Sequence, residues 1–126
     1  MNHTFDATGI ALDWTDLPDD QCPDGPLRTG VARLASTTVG EVGVWEHPVG
    51  TSTDVEQDEV FVVLSGSGRV ELPDGSTLTL RPGTVGVLAA GTPTTWIIDE
   101  PLRKVWLTAS ASSGSSEGST TDPTAG

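Results

Sequence analysis

An all-β domain is predicted by three features of the sequence. Apolar residues recur with a period of two, the segments that carry them are short and rich in Val and Ile, and each is closed by turn chemistry every 8–12 residues or so. No stretch has the 3.6-residue periodicity of an amphipathic helix. Along the chain, Val42, Val44 and Trp45 lie in a strand over Val39–His47, closed by Pro48-Val49-Gly50. Val60–Leu64 is a continuous apolar run, closed by Ser65-Gly66-Ser67-Gly68, and in Val70 and Leu72 the alternation resumes. Leu72-Pro73-Asp74-Gly75-Ser76 puts Pro where φ near −65° is wanted and Gly where φ must be positive, so residues 68–72 and 76–80 are expected to pair as a hairpin. Val85–Leu88, Trp96–Ile98 and Val105–Leu107 follow, separated by Ala90-Gly91-Thr92-Pro93 and Asp99-Glu100-Pro101.

Val60–Leu64 is apolar on both faces, a pattern that fits a strand covered on both sides. One face should look into a barrel and the other onto a second sheet, the N-terminal segment or a partner subunit. The chain of 126 residues is expected to divide into an acidic irregular strap (1–27), a barrel (28–108) and a disordered Ser/Gly/Thr-rich tail (109–126).

Formal net charge is −12, which excludes nucleic acid and anionic membrane as natural partners. Residues 1–25 hold six Asp and no Lys or Arg, whereas residues 26–108 hold ten acids against six bases. Within that core, Asp54, Glu56, Asp58 and Glu59 lie close together, so a pocket mouth there should favour a cationic ligand. A single cysteine, Cys22, forms no intrachain disulfide, and no apolar run reaches the roughly 18–20 residues of a membrane span. The start has neither a basic nor an apolar signal region. A cytoplasmic protein is expected.

The order of these segments resembles the cupin superfamily. Glu59 followed after six residues by Gly66 is similar to the end of the first cupin motif, and Pro82-Gly83 followed by Ala89-Ala90-Gly91 to the start of the second. Gly43-Val44-Trp45-Glu46, Asp58 to Gly66 and Thr95 to Trp106 resemble the subgroup related to the ureidoglycine aminohydrolase cupin domain. The resemblance implies a small double-sheet, jelly-roll-like β-barrel, a ligand pocket in its mouth and a homodimer. Metal-binding cupins place three His and a Glu on one ion. Here the first two His positions fall on Ser52 and Asp54, or on Thr53 and Val55, and the third on Thr94. The second-motif Pro is Ala89, and the Asp after Pro-Gly is Thr84. A three-His metal site is therefore not expected, and no cofactor is expected.

Glu59 and His47 are the candidate acid–base residues. Glu59 should point inward with Phe61, and a carboxylate in an apolar barrel must be paired, coordinated or protonated; Arg69, Arg103 or a bound cation could pair it. His47 titrates near neutrality if it faces a pocket, or is a strand-end residue before a Pro turn. Trp45, Phe61, Thr94, Trp96 and Arg69 are the candidate ligand-binding residues, Trp45 and Trp96 being open to core packing as well. Asp54, Glu56 and Asp58 form a solvated acidic rim or a hard-ion site of oxygen ligands, and Asp54, Glu56 and Glu59 are the set for an atypical carboxylate metal site. Arg103 and Lys104 are read as solvated or ion-paired to Glu46 or Glu71. The leading reading is a metal-independent cupin that binds a small polar or cationic metabolite; the alternative is an enzyme of hydrolase, lyase or isomerase type, working through Glu59 and His47 or an atypical carboxylate metal site.

Overall fold

The structure, a computed structural model, describes residues 2–109; the tail expected at 109–126 lies outside them except for Ala109. Eight strands are β1 (Asp13–Asp16), β2 (Arg28–Thr37), β3 (Gly40–His47), β4 (Gly50–Val55), β5 (Glu59–Glu71), β6 (Thr77–Leu80), β7 (Val85–Leu88) and β8 (Pro93–Thr108), with one 3-10 turn at Asp19–Gln21. No helix among the described residues is long and apolar enough to cross a membrane.

All ladders are antiparallel, and two strands are shared between two layers. In the first layer, β8 from Leu102 to Thr108 pairs with β3, and β5 from Glu59 to Ser65 lies on its other side, giving the order β1-β2-β3-β8-β5-β7. In the second, β8 from Pro93 to Ile98 pairs with β4, and β5 from Gly68 to Glu71 pairs with β6, giving β4-β8-β5-β6. This is the double-sheet, jelly-roll-like barrel that the patterning predicts.

Two expected breaks are bends inside continuous strands. Ser65-Gly66-Ser67-Gly68 is not a turn between strands: β5 runs through it with register shifts around Ser65 and Ser67. Asp99-Glu100-Pro101 is likewise a bend within β8. Gly66 makes the bend possible, because it has φ +90° and a Cβ there would lie 2.0 Å from the Pro101 carbonyl oxygen. The expected hairpin forms, with Gly68 opposite Leu80 and Glu71 opposite Thr77, and Gly75 supplies the positive φ (+88°) in its turn.

The strap is ordered and less irregular than its prolines suggest. Four of its residues form β1, which pairs with β2, and the Arg103 guanidinium pins it by donating to the carbonyls of Ala7 (3.1 Å) and Ile10 (3.2 Å). Arg103 also donates to Glu46 at 2.8 Å, so both lie on the outer face under the strap. The barrel interior is filled by Trp45, Phe61, Val63, Val70, Leu80, Leu88, Trp96, Ile98, Leu102 and Trp106. On the outside, the two-sided coverage expected for Val60–Leu64 is not met within one chain: Val60 is 41% and Val62 37% exposed.

Candidate functional site

Strand parity delivers one charged pair to the centre of the barrel. In β5, Glu59, Phe61 and Val63 face inward, and in β8 so do Leu102, Lys104 and Trp106. Glu59 accepts a hydrogen bond from Lys104 Nζ at 2.6 Å, with the two side chains 2% and 0% exposed. The partner of Glu59 is therefore Lys104, not Arg69 or Arg103, which pair with Glu71 and Glu46 on the outside. Lys104 is neither solvated nor paired to Glu46 or Glu71. Its Nζ also lies 4.5 Å from the ring centroids of Trp45 and Trp96 and 4.7 Å from that of Phe61, within the range of cation–π attraction. Burial pushes the Glu59 carboxyl above its ordinary range, and the adjacent ammonium pulls it back.

Around this centre, His47 and Glu56 are held by internal contacts. His47 is fully buried, with Nδ1 2.6 Å from the Pro48 carbonyl oxygen and Nε2 2.8 Å from Ser52 Oγ. Burial lowers its pKa, the Pro48 contact acts the other way, and the Lys104 charge lowers it further. Glu56, 5% exposed, accepts from Thr94 Oγ1 (2.6 Å) and Trp96 Nε1 (3.0 Å). The indole N–H of Trp45 is buried without an acceptor among the described residues, so it is the ring face that this side chain offers.

Asp54, Glu56 and Asp58 do not share one face, because the chain leaves β4 after Val55. Asp58 caps a turn by accepting from the Ala90 N–H at 2.9 Å, while Glu56 turns inward and Asp54 lines a groove within reach of the Glu56 charge. The residues do not fit a metal ion: Ser52 is held by His47, Thr94 by Glu56 and Glu59 by Lys104. Among the described residues no three His, Cys, Asp or Glu side chains group to hold one.

An open groove of about 570 Å³ lies elsewhere, where the strap crosses the second layer. Thr53, Thr95 and Glu71 are register neighbours across β4, β8 and β5 and form one row of its lining. Asp20 and Gln21 line it from the 3-10 turn, Leu72 and Pro73 from the hairpin, and Asp54, Val55, Pro93 and Thr94 from the ends of β4 and β8. Its charged lining residues are all acids. Burial, followed by the repulsion of Glu56, raises the Asp54 pKa to about 7. Gln21 Oε1 is buried without a donor among the described residues.

Of the candidate residues, Glu59, Trp45, Phe61 and Trp96 meet around Lys104, His47 lies beside Trp45 (ring centroids 5.4 Å apart), and Thr94 lines the groove. Arg69 lies on the surface, paired at 3.4 Å with Glu71 of the groove lining. Sequence reasoning missed Lys104, the groove and the part of the strap in it. The signal for Lys104 was its position two residues from both Leu102 and Trp106.

The shared long strands, the two layers and the inward Glu define a cupin. The chain belongs to the EutQ-like cupin domain family, whose model matches residues 34–106. Among solved structures it is similar to the ethanolamine utilization protein Q of Salmonella typhimurium LT2 (15% identity, 82% of this chain and 98% of that one, TM-score 0.62). It is also similar to the EutQ protein of Clostridium difficile (16%, 77% and 81%, 0.60) and to ectoine synthase from P. lautus (18%, 72% and 65%, 0.56). At these identities the likeness is one of fold. No curated protein matches the chain in sequence.

Proposed function

We propose that this cupin binds a small amine-bearing or otherwise cationic metabolite in the groove beneath the strap, without a His-metal site. The observation that supports the reading is the lining: its charged residues are Asp20, Asp54 and Glu71, the last also paired with Arg69 at 3.4 Å, and Thr53 and Thr95 add hydroxyls. The volume falls in the range of about 300–1,000 Å³ usual for small-molecule sites. Val55, Leu72, Pro73 and Pro93 offer apolar contact to a carbon skeleton. Asp54, with a pKa of about 7, would be ionised by an arriving cation and release its proton. Affinity should therefore rise with pH up to about 7 and level off above it.

Calorimetric titration of the purified protein with ethanolamine, a diamine, a ureido amine and size-matched carboxylates tests this. The amines should bind, the carboxylates should not, and Asp54→Asn should weaken binding by about tenfold or more. Equal binding of carboxylates, or an unaffected Asp54→Asn, would overturn it. The ureido amine is included because of the resemblance to ureidoglycine aminohydrolase, and ethanolamine because of the neighbours named for its utilisation. An enzymatic step through Glu59 or His47 is less favoured, since each is buried and engaged away from the groove. Cys22 is a free thiol, which suits a cytoplasmic location.

A second reading concerns the partner: the outer face of β5 and β7 is proposed as the interface of a homodimer. Val60, Val62, Val85 and Val87 are 41%, 37%, 62% and 72% exposed and adjoin one another in register. Among the described residues β7 pairs with β5 alone, and no charged residue lies between Arg81 and Asp99. Such an edge suits a second copy of an acidic chain, because antiparallel pairing about Gly86 sets Val85 against Val87 without bringing carboxylates together. Sedimentation of the native protein should give a dimer and Val87→Lys a monomer; a native monomer at high micromolar concentration would refute it.

A further inference from the structure

We propose that Lys104 is the built-in cation of this barrel, its ammonium standing where a metal ion would be held by the fold. The inward carboxylate at the family position, Glu59, is bound by Lys104 Nζ at 2.6 Å, both side chains being out of solvent. On one of the two spacings the His positions of metal-binding relatives fall on Ser52, Asp54 and Thr94, of which Ser52 lies on His47 Nε2 at 2.8 Å and Thr94 donates to Glu56 at 2.6 Å. What surrounds the ammonium is aromatic: Trp45, Trp96 and Phe61 centroids lie 4.5, 4.5 and 4.7 Å from it.

That environment selects one kind of cation. A divalent metal needs several lone pairs from oxygen, nitrogen or sulfur in its coordination sphere. A ring face offers none, but its quadrupole attracts a monovalent organic ammonium. The Glu59 carboxylate sits directly on the ammonium at 2.6 Å, and the Glu56 charge also acts on Glu59. Arg103, next in sequence, cannot serve, because the alternation of β8 sends it outward to Glu46 and the strap. The site adjoins the groove through Thr94 and Asp54, but its test reads stability and metal content rather than binding in the groove.

The cage emptied of its own amine should accept another of the same chemistry. In Lys104→Ala, thermal melting is expected to fall by more than about 10 °C, and millimolar butylammonium should restore part of that loss where equal ionic strength of sodium chloride does not. Native protein purified without chelator and dialysed should carry no stoichiometric divalent metal by elemental analysis. A folded Lys104→Ala that butylammonium fails to stabilise would sink the proposal, as would native protein with one equivalent of metal that is lost in Glu59→Gln. Should Lys104→Ala not fold, Lys104→Met and the double variant Lys104→Met/Glu59→Leu decide the matter. The single change should melt far below native and the double change near it, and a single variant as stable as native would overturn the assignment.

Discussion

The centre of the barrel and the groove outside it are built from neighbouring stretches of the same strand, yet they treat charge in opposite ways. At the centre, Glu59 and Lys104 are sealed among three rings and neutralise each other. In the groove, Asp20, Asp54 and Glu71 line an open space with no base among the lining residues. On the reading proposed above, the inward carboxylate at the cupin position holds an internal counterion, and the charge of a ligand is met in the groove instead. A buried charge that has its counterion is quiet, whereas charge of one sign around an accessible space is poised for a ligand.

The comparison predicts its largest effect at the centre. Glu59→Ala removes the carboxylate that Lys104 bonds at 2.6 Å out of solvent and should cost about 3–5 kcal/mol, read as a lowered urea midpoint with an unchanged slope. A loss below about 1 kcal/mol would mean that water reaches the ammonium and that the centre is not sealed. An intermediate effect is expected where the two regions touch. Trp96→Phe keeps an aromatic face toward Lys104 but removes the N–H that Glu56 accepts at 3.0 Å, so urea unfolding should show a loss of about 1–3 kcal/mol.

The smallest effect belongs to the groove and depends on pH. The Asp54 carboxyl titrates at about 7 in the fold, above its ordinary 3.8. The folded state therefore holds the proton that the unfolded chain has released, and stability contributed by protonated Asp54 falls as pH rises from about 4 to about 7. Asp54→Asn should flatten that slope and be the more stable protein at pH 8, by about 1–2 kcal/mol after allowance for its partial exposure. Melting curves from pH 5 to pH 8 check this, and parallel curves for the two proteins would place Asp54 in open solvent.

The barrel was legible because its evidence is local. Alternating Val and Leu, Pro73-Asp74-Gly75 and the inward parity of Glu59 and Phe61 are properties of short windows, and each is realised in the ladders. Strand length was not legible, because Pro101 and the Ser-Gly repeat read as stops, whereas the close approach of Gly66 to Pro101 turns them into matched bends. Lys104 was missed for a similar reason. Beside Arg103 it looks like half of a solvated basic pair, and the parity that separates the two is interpretable only once Leu102 and Trp106 are known to face inward across the bend. The groove required knowledge of where residues 20–21 cross the second layer, a contact spanning more than thirty residues that no local pattern encodes.

The placement of β8 has a consequence for how the molecule comes into being. This strand, the last among the described residues, lies between β3 and β5 in one layer and between β4 and β5 in the other. Every earlier strand from β3 to β5 therefore waits for a partner that the ribosome makes late. Pairings such as Glu59 with Thr108 close long loops before any contact rewards them, which places folding in the slow, millisecond-to-second regime of β-rich domains. Until residue 108 is available, the Val60–Leu64 ribbon is an uncovered apolar edge, so the nascent chain is most exposed to misassociation in the interval before β8 docks.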